Sequence, residues 1–259
     1  MPLQYPVVLV HGIVAHDRGG ILNFWGRIPK KLKEKGVKVF YGNTDAWGDY
    51  ESNAQILKTT VEQILRDTKA EKVNIIAHSK GGLDSRYCIW KHQLGDHVAS
   101  LTTLSTPHHG AEIADLILRR SLAHTAMVKK TLDVFCKLYG DANPNIYNVS
   151  QQLTTQKMKD FNKTVCMDER VYYQSIYTTM KNGLDDLMFF YSHLYVKSVS
   201  GENDGVVSAH SATWGDHVVK IEGGISHAEI VDYKRKKISG INIPGIYMGI
   251  VDGLSKKGF

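Results

Sequence analysis

The chain has 259 residues, 42% of them hydrophobic, and a formal net charge of +6. That length and apolar content support one large α/β domain with a full core. The longest apolar runs, YPVVLV and KVNII, fall far short of the roughly 18 residues of a membrane-spanning helix, so a soluble protein without a transmembrane segment is expected.

In chain order, YPVVLVHG (Tyr5 to Gly12) reads as a buried strand ending at a glycine, and KVFYGN (Lys38 to Asn43) as a second. Between Glu51 and Asp67, the residues Ala54, Leu57, Val61, Ile64 and Leu65 recur at helical spacing, the pattern of an amphipathic helix. KVNIIAH is a third strand, GGLDSRYCIWKHQ a helix and VASLTTLST a fourth strand. This alternation is that of a mostly parallel sheet with crossover helices. From Gly110 to about Val165 the sequence turns helical and irregular, a long insertion of the kind that often carries function. Strand-like alternation resumes at VYYQSIYT (Val171 to Thr178) and at YVKSVS (Tyr195 to Ser200), without internal repeats.

The basic runs PKKLKEKGVK (Pro29 to Lys38) and YKRKK (Tyr233 to Lys237) read as solvated helix faces. No aromatic-interleaved basic stripe accompanies them, which argues against nucleic acid as a partner; attraction to an anionic lipid surface is the secondary reading. Cys88, Cys136 and Cys166 are odd in number and irregularly spaced, which suggests neither a disulfide framework nor a metal cluster. A Cys136–Cys166 bridge is weighed against three free thiols. The start, MPLQYPVVLVHG, lacks the basic, apolar and small-residue regions of a signal peptide.

The stretch AHSKGG (Ala77 to Gly82) poses a choice between a phosphate loop and an aimed nucleophile. A P-loop needs its lysine before the hydroxyl residue and a glycine further upstream; the order here is Ser-Lys-Gly-Gly, so that reading fails. A nucleophile elbow needs a serine between strand and helix with small residues two positions to either side, and Ala77 and Gly81 meet this condition. Any residue much larger than alanine at position 77 is expected to disrupt the turn. Serine needs a base, itself oriented by an acid. Among the twelve histidines, His193, His210, His217 and His227 lie in the final third. His217 sits in a strand-like run, WGDHVVKIEG, whereas His227 sits in the glycine-rich loop EGGISHAEI, where a side chain can reach across the sheet's carboxyl edge. His227 is the expected base. Asp204, in the turn SGENDGVVS after the 195–200 segment, is the expected acid. Two oxyanion donors are expected, the backbone N–H groups of Lys80 and Ile13. On that view the Lys80 side chain is free to vary, and Lys80→Gln is tolerated.

These blocks resemble a known family. YPVVLVHGI, KVNIIAHSKGGLDSRY, LSTPHHGAEIADLI and SGENDGVVSAHSATWG are similar to the corresponding segments of the bacterial true lipases of Pseudomonas, Burkholderia and Proteus, with relatives in staphylococci and bacilli. The resemblance implies a single α/β-hydrolase domain over residues 1–259, with Ser79, Asp204 and His227 as triad. It also implies a helical lid at about 112–160, with LAHTAMVKKTLDVFCKLYG (Leu122 to Gly140) apolar on its inner face. It implies a triacylglycerol lipase acting on lipid at an oil–water interface, as a secreted monomer; a cytoplasmic location is the alternative. An esterase for short-chain esters, a phospholipase and a catalytically silent lipid-binding protein are the competing readings. The chemistry requires no cofactor. A structural calcium ion is implied near the catalytic histidine, held by Asp185 and Glu229, although glutamate stands where relatives carry aspartate. A zinc site like that of the bacillus relatives is a weaker implication, for which His78 and His92 are not paired with convincing partners.

Overall fold

In the computed structural model, which describes residues 3–13, 17, 24–120 and 144–259, six parallel strands form one sheet in the order β2-β1-β3-β4-β5-β6. They are β1 (Val7–Val10), β2 (Val39–Tyr41), β3 (Val73–His78), β4 (Val98–Leu104), β5 (Tyr172–Thr178) and β6 (Val218–Ile221). Every residue of β1, β3 and β4 is buried, as the continuous apolar runs require when helices cover both faces of a parallel sheet.

Side chains alternate across a strand, and the two cores follow from that alternation. Val7 and Leu9 join Ile76 and Leu104 on one face, covered by α1 (Ile28–Glu34) and α9 (Ile243–Lys256) through Ile28, Leu32, Tyr247 and Leu254. Val8 and Val10 join Ile75 and Leu101 on the other, covered by α2 (Tyr50–Thr68) and α3 (Lys80–His92) through Leu57, Val61 and Ile89. The amphipathic helix expected at Glu51 to Asp67 is α2, started by Asp49, whose side chain accepts the Ser52 N–H. Because β2 lies on one side of β1 and β3 on the other, the chain changes its winding direction there. The crevice at such a switch point, beyond the carboxyl ends of the strands, is where ligands bind in open α/β sheets.

The insertion between β4 and β5 carries α4 (Glu112–Arg120), α5 (Ile146–Gln152) and α6 (Thr155–Thr164). Asp115 of α4 accepts from both the backbone N–H and the hydroxyl of Thr155, tying α4 to the start of α6. The lid segment expected at Leu122 to Gly140 lies outside the described residues, as does Cys136. Cys166 is an exposed free thiol.

One expected strand is a helix. Tyr195 to Ser200 belongs to α7 (Phe190–Ser200), which buries His193 and Val196, three residues apart, and stops at Gly201 with φ 80°. The tyrosine and valines of YVKSVS suit a strand, but the helical spacing of the side chains that pack decides for a helix. The sixth strand comes instead from the WGDHVVKIEG run, and His217 stands at its start, accepting the Ser175 N–H at its carbonyl and packing its ring 4.9 Å from Tyr172. A short helix, α8 (Ala209–Ala212), precedes it.

Candidate active site

Strand β3 passes into α3 through a single residue, Ser79, with φ 53° and ψ −130°. A non-glycine residue in that region is strained and persists only where its surroundings hold it. Here the Ser79 N–H donates to the Leu104 carbonyl, and the Ser79 carbonyl accepts from the Thr106 hydroxyl and the Gly82 N–H. A Cβ on Gly81 would run into the carbonyl oxygens of Val10 and His11, and Ala77 is fully buried between Val10 and Thr103 of the flanking strands. The small residues flanking the serine are thus explained by the close passage of β1 and β4.

The Ser79 Oγ lies 3.0 Å from Nε2 of His227, and Nδ1 of His227 lies 2.8 Å from Oδ2 of Asp204. The other oxygen of Asp204 accepts the backbone N–H groups of Val206 and Val207 at 3.0 and 2.8 Å, and the His227 N–H donates to the Asp204 carbonyl. With the carboxylate wholly an acceptor, the ring proton of His227 sits on Nδ1 and Nε2 is left to accept from the serine. All three residues are at least nine-tenths buried. Sequence reasoning expected these three together and the structure brings them together, although Asp204 follows a helix rather than a strand. Its loop is held by Asn203, whose side-chain oxygen faces His193 Nδ1 at 3.0 Å and accepts the Gly205 N–H.

The expected oxyanion donors flank this group. Lys80 is the first residue of α3, so its N–H has no acceptor within the helix. Ile13, from the loop after β1, lines the same cavity as Ser79 and His227. That cavity holds about 750 Å³, and its remaining wall is largely apolar, with Phe24, Trp47, Leu153, Met188, Phe189 and Val207 prominent. A chain-like apolar group would fit such a wall, with polar atoms confined to one end.

The contact that His78, adjacent to the serine, makes with His227 escaped sequence reasoning. The His78 Nε2–H donates to the His227 carbonyl at 2.9 Å, the two rings are 4.7 Å apart, and the His78 Nδ1 has no partner. Burial, reinforced by the neighbouring His227, holds its pKa well below that of a free histidine. It is therefore a neutral strut under the backbone of His227.

The Lys80 side chain is not free to vary, contrary to expectation. It is buried and its ammonium lies 2.6 Å from Asp84, one helical turn on, whose other oxygen accepts from the Asn53 side chain. Burial raises the Asp84 pKa, with Lys80 the leading opposing influence. The i,i+4 spacing of Lys80 and Asp84 was legible; the burial of that helix face was not.

The two expected calcium ligands each have protein partners of their own. Asp185 accepts the backbone N–H groups of Lys181 and Asn182. Glu229 is buried and accepts from the Ser226 N–H and the Lys234 ammonium; the carboxylate reaching Lys234 from the other side is Asp186. Among the described residues no group of three or more His, Cys, Asp or Glu side chains is gathered to hold a metal. His78 Nε2 is committed to the His227 carbonyl.

A parallel sheet with a strained serine elbow at its switch point is the architecture of an α/β-hydrolase. The chain belongs to the palmitoyl protein thioesterase family, whose model matches residues 6–180, a span that includes the elbow but not Asp204 or His227. It is 29% identical over 266 residues to triacylglycerol lipase 2 of Saccharomyces cerevisiae, covering 92% of this chain and 75% of that one. To a triacylglycerol lipase of Pseudarthrobacter phenanthrenivorans it is 32% identical over 173 residues, 62% of this chain and 53% of the relative, so it spans about half of that bacterial protein. The structure of Bacillus licheniformis lipase BlEst2 superposes with a TM-score of 0.72 at 22% identity, covering 97% of this chain and 93% of that one; at that identity it speaks for the fold. Kinship with the bacterial lipases is as the sequence blocks implied, and it extends to a yeast enzyme over most of the chain.

Proposed function

We propose that this chain is a serine carboxylic ester hydrolase whose substrate is a triacylglycerol. The observation that carries this is the Ser79–His227–Asp204 hydrogen-bonded chain at one end of an apolar cavity of about 750 Å³. Ser79 Oγ attacks the ester carbonyl as His227 Nε2 takes its proton, and Asp204 stabilises the imidazolium that forms. The Lys80 and Ile13 N–H groups receive the developing oxyanion. His227 then protonates the leaving alkoxide, and water activated by His227 hydrolyses the acyl-enzyme.

The choice of a lipid substrate is supported by the named activities of the yeast and bacterial relatives and by a surface next to the cavity. Leu184 and Leu187 are each 72% exposed and Tyr191 is 85% exposed, on the segment whose Met188 and Phe189 line the cavity wall. Exposed apolar side chains clustered at a pocket mouth suit contact with a lipid surface. None of the described helices is long and apolar enough to cross a membrane.

Ser79→Ala is expected to abolish p-nitrophenyl ester hydrolysis and labelling by an active-site phosphonate while leaving the fold intact; unchanged turnover would remove the mechanism. A triglyceride chain-length series, run above and below the substrate's solubility limit, tests the substrate. Preference for short soluble esters would make the chain an esterase. The family model favours one further substrate, a long-chain acyl thioester, which passes through the same acyl-enzyme; a palmitoyl thioester turned over faster than any oxygen ester would establish that reading instead.

A further inference from the structure

We propose that Lys234 is the built-in cation of a structural site beside the catalytic histidine, standing where resemblance to the lipases implied calcium, so that the chain positions His227 without a divalent metal. The role given to His227 rests on the hydrolase reading above; the exclusion of metal from the site does not.

The site is assembled from the residues on either side of His227. Ser226 donates its N–H to Glu229 at 3.0 Å and its hydroxyl to Asp186 at 2.7 Å. The Lys234 ammonium lies 2.6 Å from Glu229 Oε1 and 3.3 Å from Asp186 Oδ2, which also accepts the Tyr233 hydroxyl at 3.2 Å. Glu229 is 2% exposed and Asp186 5%. Two carboxylates buried this deeply around one point need a positive charge between them.

The donor set suits an ammonium and not a dication. Calcium takes six to eight oxygen ligands. Here one oxygen of Glu229 is committed to a backbone N–H, Oδ2 of Asp186 accepts two hydroxyls, and its Oδ1 faces the Met188 N–H at 3.4 Å. The lone pairs that remain converge on Lys234, a compact charge with three donors. A metal would have to expel that side chain.

The consequence reaches the chemistry through geometry. Glu229 is two residues after His227, and Asp186 opens the short helix Leu187–Phe189, whose Phe189 ring packs edge-on to His227 with centroids 6.5 Å apart. One ammonium therefore ties the histidine loop to the cavity wall that the histidine packs against. Lys234 is a positioning residue and touches neither substrate nor serine.

The test uses the full chain. The wild-type protein is expected to melt at the same temperature, and to hydrolyse p-nitrophenyl esters at the same rate, in millimolar EDTA and in millimolar CaCl2. Lys234→Met is expected to lower the melting temperature by about 5 °C and kcat by about tenfold with KM little changed, because His227 is misplaced rather than the pocket altered. Lys234→Arg, which keeps the charge, should retain both. Should Lys234→Met not fold, Glu229→Gln/Lys234→Met, which lightens the unpaired charge, takes its place. Calcium-dependent stabilisation or EDTA inactivation of the wild type would overturn the proposal. So would a Lys234→Met protein of wild-type kcat. The melting arm of the metal titration needs no activity, so its outcome stands whether or not Ser79 proves to be the nucleophile.

Discussion

Replacing Lys80 by methionine deletes an ammonium while keeping most of the stem, and its cost can be bounded from the structure. The side chains of Lys80 and Asp84 are 3% and 2% exposed and lie 2.6 Å apart. Without the ammonium, Asp84 keeps only the Asn53 side-chain donor at 2.8 Å. A lone buried carboxylate takes up a proton rather than remain charged. Protonating a carboxyl of ordinary pKa 3.8 at pH 7 costs about 1.36 kcal/mol per pH unit, or about 4.4 kcal/mol in all. That ceiling falls within the range of about 3–5 kcal/mol measured for breaking buried pairs. Because it is a protonation cost, it should shrink by about 1.4 kcal/mol between pH 7 and pH 6. Lys80→Met/Asp84→Leu, which removes both charges, should recover most of the loss, since Asn53 still donates to the Asp45 carbonyl. Urea denaturation of the three proteins at both pH values measures this. A single-variant cost below about 1 kcal/mol, a cost independent of pH, or a double variant as unstable as the single would refute the reasoning. Lys80→Gln, neutral and shorter, should resemble Lys80→Met.

Other outcomes follow from the site and its surroundings. Asp204→Asn should lower kcat by about 10⁴-fold with little change in melting temperature, because the ring proton of His227 loses its acceptor; steady-state kinetics on a soluble ester measures it. Gly81→Ala should abolish activity or folding, since its Cβ would meet the carbonyl oxygens of Val10 and His11, and phosphonate labelling of any soluble fraction would show whether the elbow survives. His78 and His108 are held well below 6.5, chiefly by burial and then by the charges of His227 and Arg86 respectively. Their neutral forms are native, so the stability they contribute is present above pH 6.5 and is lost as pH falls below it, by about 1.4 kcal/mol per unit for each. His108→Gln should flatten that slope by one proton in urea denaturation between pH 6.5 and 5. Replacing Leu184, Leu187 and Tyr191 together by serine should reduce turnover of emulsified triglyceride several-fold and leave soluble-ester turnover unchanged; equal loss on both would dissociate the patch from lipid contact.

Local order was legible where one physical rule acts within a short window. The buried runs of β1, β3 and β4, the amphipathic spacing of α2 and the small–Ser–small elbow each express a constraint felt by consecutive residues. The histidine could be selected because a glycine-rich loop before a turn is a place from which a side chain reaches across the sheet edge. Tyr195 to Ser200 misled because Tyr195, Val196 and Val199 are residue types that suit a strand, whereas burial of His193 and Val196 decided for a helix. Lys80 misled in the opposite sense, since a lysine beside an active serine reads as a solvated side chain until the whole helix face around it is found to be covered.

The order of residues by itself determined the α/β architecture and pointed to the serine elbow and to the histidine and aspartate that the fold brings beside it, because strand, turn and helix preferences are local and triad chemistry admits few residue types. Only the tertiary structure decided which charges are buried and what neutralises them. Lys234 meets Asp186, 48 positions away, and His78 supports a carbonyl 149 positions away. Separation along the chain carries no information about such meetings, whose energies depend on the distance and desolvation set by the fold.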